Sequence, residues 1–171
     1  TRNHSSAASD VYKRQATLRG ASLQWNAKMN KNLTYGGHVN YTYGITREDQ
    51  IPVPSILPWQ GTQHISISNL RLNGKLSFVF AGQKLPEDYS NGGEDGLEET
   101  PVIGVSSETG ENEYAGTPSW NRFDFRLTYN VNTNAKVGAD IHNIFDVHYK
   151  EFASGISAPG RSLRLRLQYR F

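Results

Sequence analysis

The segment 162–171 alternates without a break. Leu163, Leu165, Leu167, Tyr169 and Phe171 take the odd positions; Arg164, Arg166, Gln168 and Arg170 take even ones. Successive side chains of a β-strand point to opposite faces, so the pattern predicts a strand with one apolar and one cationic face. The same period of two recurs upstream. In 16–29, Ala21, Leu23, Trp25, Ala27 and Met29 alternate with Ser22, Gln24, Asn26 and Lys28. In 33–47, Leu33, Tyr35, Val39, Tyr41, Tyr43 and Ile45 face away from Thr34, His38, Asn40 and Thr42. Strands are also predicted at 61–72, 75–84, 120–131 and 135–149, about seven in all. Segment 61–72 slips phase, with Ile65 and Ile67 odd but Leu70 and Leu72 even, which predicts a bulge near Ser68.

The connections alternate in kind. Asn30-Lys31-Asn32, Asn73-Gly74 and Asn132-Thr133-Asn134 are predicted as short turns. The others are long: 48–60, with Pro52, Pro54 and Pro58; 85–119, rich in Gly and acids; and 150–161. All short turns fall at one end of the strands and all long loops at the other. The expected fold is therefore all-β, an antiparallel transmembrane β-barrel segment of about seven strands, with lipid outside and a polar interior. A soluble sheet is the alternative, in which so regular a strand would be an aggregation-prone edge. If Val131 pairs with Ala135, then Arg126 lies opposite Asp140 and Asp124 opposite His142, as cross-strand charge pairs on the polar wall.

Composition narrows this little. Cys is absent, so there is no disulfide framework, and a net charge of +2 gives no case for nucleic-acid binding. No run approaches the ~20 apolar residues of a membrane helix, which excludes a helical membrane protein but not a barrel. The histidines at 4, 38, 64, 142 and 148 lack metal-ligand spacing, and neither a nucleophile elbow nor a phosphate loop occurs. No enzyme activity, cofactor or metal is expected. The acids of 85–119, from Glu87 to Glu113, are scattered. A solvated, mobile loop is expected there, with Ca²⁺ binding as the alternative. Residues 1–15 lack periodicity, and Asp10-Val-Tyr-Lys-Arg-Gln15 resembles a translated sequencing-library adapter. A disordered, non-native segment 1–15 is expected, followed by one domain over 16–171.

Two motifs carry a resemblance. Asn143-Ile-Phe145-Asp146 is followed by Tyr149, by Pro159-Gly160-Arg161 and by the strand ending in Phe171; Gly116-Thr-Pro-Ser-Trp120 precedes an earlier strand. Over 16–171 the chain resembles the C-terminal part of the barrel of TonB-dependent outer-membrane receptors. That resemblance implies an incomplete part of a barrel of about 22 strands, with a lumen-filling plug and the TonB-contacting box upstream. It implies uptake of a scarce nutrient such as a ferric siderophore, and a place in the outer membrane of a Gram-negative bacterium. Implied partners are outer-membrane lipid and lipopolysaccharide, the TonB complex, the nutrient ligand and the barrel-assembly machinery. Tyr169 and Phe171 match the signal that machinery reads, although Arg166 replaces its usual small residue.

For cargo contact the candidates are Trp59, Arg122 and Arg126, with an interface-girdle role as the alternative for Trp59. Two other readings of the whole chain remain at this point. One is a small outer-membrane barrel acting as an adhesin or structural protein, which needs an even strand count. The other is a soluble all-β sugar-binding module, which needs one sheet face packed into a core.

Overall fold

The structure, a computed structural model, describes residues 15–90 and 95–171. The expected non-native segment lies, but for Gln15, outside the described residues, as does Glu94 of the acidic loop. In chain order the strands are β1 (Ala16–Lys28), β2 (Leu33–Thr46), β3 (Gln60–Ser68), β4 (Leu72–Ala81), β5 (Val102–Val105), β6 (Asn112–Tyr114), β7 (Trp120–Asn130), β8 (Ala135–His142) and β9 (Ser162–Tyr169). Seven of them form one antiparallel meander in the order β1-β2-β3-β4-β7-β8-β9, while β5 and β6 pair as a separate hairpin. The large sheet is not closed: β1 and β9 are its edges, as befits an incomplete barrel.

The register sorts side chains as the alternation predicts. Leu165, Ala139, Leu127, Gly74 and Ile67 lie in one row across five strands, and Arg164, Asp140, Arg126, Lys75 and Ser66 in the adjacent row. Successive residues face opposite ways, so the first row belongs to an apolar face and the second to a polar one. The apolar face is uncovered: Leu23, Ile65, Leu76, Val137, Leu163, Leu165 and Leu167 are all exposed. An apolar surface of this extent marks a membrane or partner contact rather than a soluble domain's core.

Aromatic residues rim the apolar face at both strand ends. At the end of the short turns lie Trp25 against Tyr35, Tyr129, and Tyr169 against Phe171. At the other end Trp59, Phe80, Phe78, Phe123 and Phe145 form a continuous chain of ring contacts, with centroids 5.0–5.6 Å apart. On β7 the two rims are six residues apart, from Phe123 to Tyr129, or roughly 20 Å along the strand. That approaches the ~25 Å apolar band between the aromatic girdles of outer-membrane barrels.

The short turns share one device. In each, an Asn Oδ1 accepts the backbone N–H groups two and three residues ahead: Asn30 from Asn32 and Leu33, Asn69 from Arg71 and Leu72, Asn132 from Asn134 and Ala135, all at 2.8–2.9 Å. This corrects two expectations. Asn73-Gly74 is not a turn: Asn73 pairs with Ser68, and Gly74 with Ile67, inside the β3–β4 ladder. There is no bulge at Ser68 either; the phase slip is the turn itself, centred on Asn69–Arg71. The strand expected over 135–149 ends at His142, because Asn143 adopts a left-handed φ of 51° that no strand continues. The 85–119 loop is also more structured than expected, carrying β5, β6 and two single-turn 3₁₀ helices, Pro86–Asp88 and Leu97–Glu99.

Candidate functional site

The polar face is charged chiefly over β7, β8 and β9. Arg126 lies opposite Asp140, as the register argument requires, and its Nε donates to Asp140 Oδ1 at 2.9 Å. Arg166 Nη2 donates to the same oxygen at 3.0 Å. Asp140 is 2% exposed, so two half-exposed guanidinium groups neutralise one buried carboxylate. Lys75 and Arg164 continue the row on either side. One turn of the pleat further on, Asp124 accepts Arg122 Nε at 3.3 Å and the Asn143 N–H at 2.9 Å, and faces His142 Nδ1 at 3.8 Å. Cations therefore outnumber carboxylates on this wall. A surplus of fixed positive charge in a confined space attracts anions.

Above the wall the long loops build a cap. Tyr149 stacks on Trp120 with ring centroids 4.1 Å apart, and its hydroxyl accepts a hydrogen bond from Arg122, whose guanidinium lies over both rings. Beside this stack opens a cleft of about 590 Å³ lined by Trp120, Tyr149, Thr117, Pro118, His148 and Lys150. That volume is typical of a small-molecule site. Deeper in the cap, Lys84 is 3% and Asp95 2% exposed, and they pair at 3.3 Å. Next to them the Tyr89 hydroxyl shares a hydrogen bond with Thr117 Oγ1 at 2.7 Å and accepts the Thr117 N–H at 3.1 Å. Burial raises the Tyr89 hydroxyl above its ordinary pKa of 10.0, so it stays protonated there. Nothing in the sequence marks Lys84, Asp95 or Tyr89: Lys84 ends the segment expected as a strand, which in the structure stops at Ala81, and Asp95 and Tyr89 are ordinary residues of a polar loop.

Of the residues that carry the resemblance, those within 143–161 are a fastening. Asn143, 1% exposed, donates from Nδ2 to the carbonyls of Val147 (2.9 Å) and Pro159 (3.4 Å), and accepts the Val147 N–H on Oδ1. Asp146 Oδ1 accepts the Arg161 N–H at 2.6 Å, and Arg161 donates to the Ile144 carbonyl. A Cβ on Gly160 would stand 2.6 Å from that Asp146 oxygen, so a side chain there would press on the acceptor of the Arg161 N–H. Phe145 points outward into the aromatic rim. These bonds tie the two ends of 143–161 to each other, with the Asn143 N–H fixed to Asp124 of the sheet; of this motif Tyr149 lines the cleft, and Thr117, Pro118, Ser119 and Trp120 of the other motif line it as well.

Of the expected cargo contacts, Arg122 and Arg126 share the polar face, four residues apart on β7. Trp59 does not join them. Its indole packs on Phe80 at 5.2 Å and occupies the space a side chain on Gly82 would need, placing it on the apolar face. That is the position of the girdle alternative. Tyr169 and Phe171 are exposed at the turn end. The acids of the 85–119 loop do not converge; among the described residues no group of three His, Cys, Asp or Glu side chains is placed to hold a metal.

No family profile matches the sequence, and no curated protein matches it. Solved structures do. The copper transporter OprC covers 92% of the chain at 17% identity, with a TM-score of 0.71. The siderophore receptor PiuA from Acinetobacter baumannii covers 90% at 17% identity, with a TM-score of 0.62. The ferripyoverdine receptor of the outer membrane of Pseudomonas aeruginosa covers 90% at 12% identity, with a TM-score of 0.65. The fold is that of a TonB-dependent receptor barrel. The chain spans only 23%, 22% and 19% of those three proteins. It is therefore similar to one section of such a barrel.

Proposed function

We propose that the chain is the C-terminal section of the barrel of a TonB-dependent uptake receptor in the outer membrane of a Gram-negative bacterium, importing a nutrient such as a ferric siderophore. The observation that carries this reading is the coincidence of fold and surface. The sheet superimposes on receptor barrels, and one of its faces is exposed, apolar and aromatic-rimmed, as a lipid-facing barrel wall is. The opposite face is polar and cationic, as a water-filled lumen allows. A small self-contained barrel is less favoured, because 90–92% of the chain matches a section, 19–23%, of much longer transporters and receptors. A soluble sugar-binding module fits less well, because the apolar face is exposed rather than packed.

In this reading the long loops face the medium and the Asn-centred turns face the periplasm. The cleft beside Trp120 and Tyr149 receives cargo, and Arg122 and Arg126 draw an anionic complex toward the lumen. Trp59 belongs to the outer girdle. Transport draws on the TonB complex through the upstream plug-bearing region, and Tyr169 and Phe171 serve the assembly machinery. No catalytic step is assigned to the chain. The test is growth. The complete reading frame, expressed in a strain stripped of its own receptors, should restore growth on at least one ferric siderophore, haem, cobalamin or copper source. It should do so only when TonB is intact. Growth rescue independent of TonB would overturn the proposal, as would no rescue by correctly assembled protein across the panel.

A further inference from the structure

The buried pair in the cap joins segments that the chain keeps far apart. Lys84 Nζ lies 2.6 Å from the Ile56 carbonyl, which belongs to the 47–59 loop, and 3.3 Å from Asp95 Oδ2 in the 82–119 loop. The same ammonium stands 5.0 Å from the Tyr89 ring centroid and 4.1 Å from that of Phe152, which belongs to the 143–161 loop. Asp95 completes the set: its other oxygen accepts the Ser55 N–H at 2.6 Å, again from the 47–59 loop. Tyr89 and Phe152 meet edge to face at 5.9 Å. A buried ammonium is tolerated only where its charge and its protons are met. Here they are met by groups from all three long loops.

We propose that Lys84 and Asp95 are a positioning pair that binds the three long loops into one cap, so that the cleft beside Trp120 and Tyr149 is preformed and its walls move together. This rests on the reading that these loops face the medium, but it concerns their mechanics and not the cargo. Without the pair, the 82–119 and 143–161 loops would keep the Lys150–Glu99 contact and the Tyr89–Phe152 ring contact, but the 47–59 loop would lose the bonds of Ser55 and Ile56 to Asp95 and Lys84. With it, displacement of 143–161 is felt at Ser55 and Ile56, through Phe152, Lys84 and Asp95. The geometry also selects Lys over Arg. The ammonium is a compact charge ringed by two oxygens and two aromatic faces, and a larger, planar guanidinium would have to change those contacts to be seated there.

Amide hydrogen exchange on the complete receptor in detergent, with no cargo present, tests this directly. In Lys84→Met, the amides of 55–57, 95–97 and 149–153 should all exchange faster together, on the order of tenfold or more, while β4 and β7 keep their protection. Lys84→Arg should not restore the slow rates. Phe152→Leu alters only the third loop and leaves the ion pair chemically intact, yet it should still accelerate exchange at 55–57. This variant stands in if Lys84→Met fails to assemble. Acceleration confined to 82–119 in Lys84→Met, or to 143–161 in Phe152→Leu, would overturn the proposal. Because no cargo is used, the result stands whether or not the growth test succeeds.

Discussion

Leu165→Arg is the substitution whose outcome the two-faced sheet fixes most tightly. Leu165 stands opposite Ala139 in the middle of β9. Tyr169, on the turn-side rim, is four residues away in one direction. Extending the β7–β8–β9 register places the Phe123 row at position 161, four residues away in the other. At about 3.3 Å per residue, each rim is roughly 13 Å from Leu165, near the centre of the apolar band. A guanidinium on the lipid face at that depth costs about 2–4 kcal/mol. The control is the next residue. Arg166→Leu removes one of two arginines from Asp140, but Arg126 keeps its bond to the same oxygen, and the Arg166 side chain is half exposed to water. Its loss should cost no more than about 1 kcal/mol. Denaturant unfolding of the complete receptor refolded into lipid vesicles should separate the two variants, and the amount assembled in cells should follow the same order. Equal losses, or a larger loss for Arg166→Leu, would refute the assignment of faces.

Other outcomes follow from particular contacts. Asn69→Ala should destabilise by roughly 1 kcal/mol, since two backbone N–H groups lose their acceptor, whereas Asn73→Ala, inside the ladder, should cost less; the same unfolding assay ranks them. Trp120→Ala should weaken cargo binding to purified receptor about tenfold or more, because the ring forms a wall of the cleft, while Trp59→Ala on the lipid side should leave affinity unchanged. Deleting Phe171 should lower the amount of receptor assembled in the outer membrane without changing the affinity of what does assemble; normal assembly with reduced uptake would contradict that role.

The sheet was legible in the sequence because alternation is a local signal and a one-residue slip would turn every side chain to the wrong face. The Arg126–Asp140 and Asp124–His142 pairings followed from a single turn placed at Asn132. The misplaced turn shows where local signals compete. Asn73-Gly74 is the stronger dipeptide, but the slip of hydrophobic phase between Ile67 and Leu70 was the better guide, and Asn69 makes the same side-chain bonds as Asn30 and Asn132. The side taken by Trp59 could not be read, because the Pro-rich loop around it has no period. The cap was illegible for a different reason. Asp95 is one acid among many, and its partners Ser55 and Lys84 are 40 and 11 residues away, brought together only by tertiary packing.

The chain has no cysteine of its own, so in a complete receptor from which any other cysteine has been removed, single cysteines placed here report topology without background. Thr109 lies in the tip of the β5–β6 hairpin and Thr133 in the β7–β8 turn, and both are exposed. In intact cells expressing the complete receptor, a membrane-impermeant maleimide should label Thr109→Cys and spare Thr133→Cys. The latter should be labelled only after the outer membrane is permeabilised. Labelling of both in intact cells, or of Thr133→Cys alone, would contradict an outer-membrane barrel with its long loops outside.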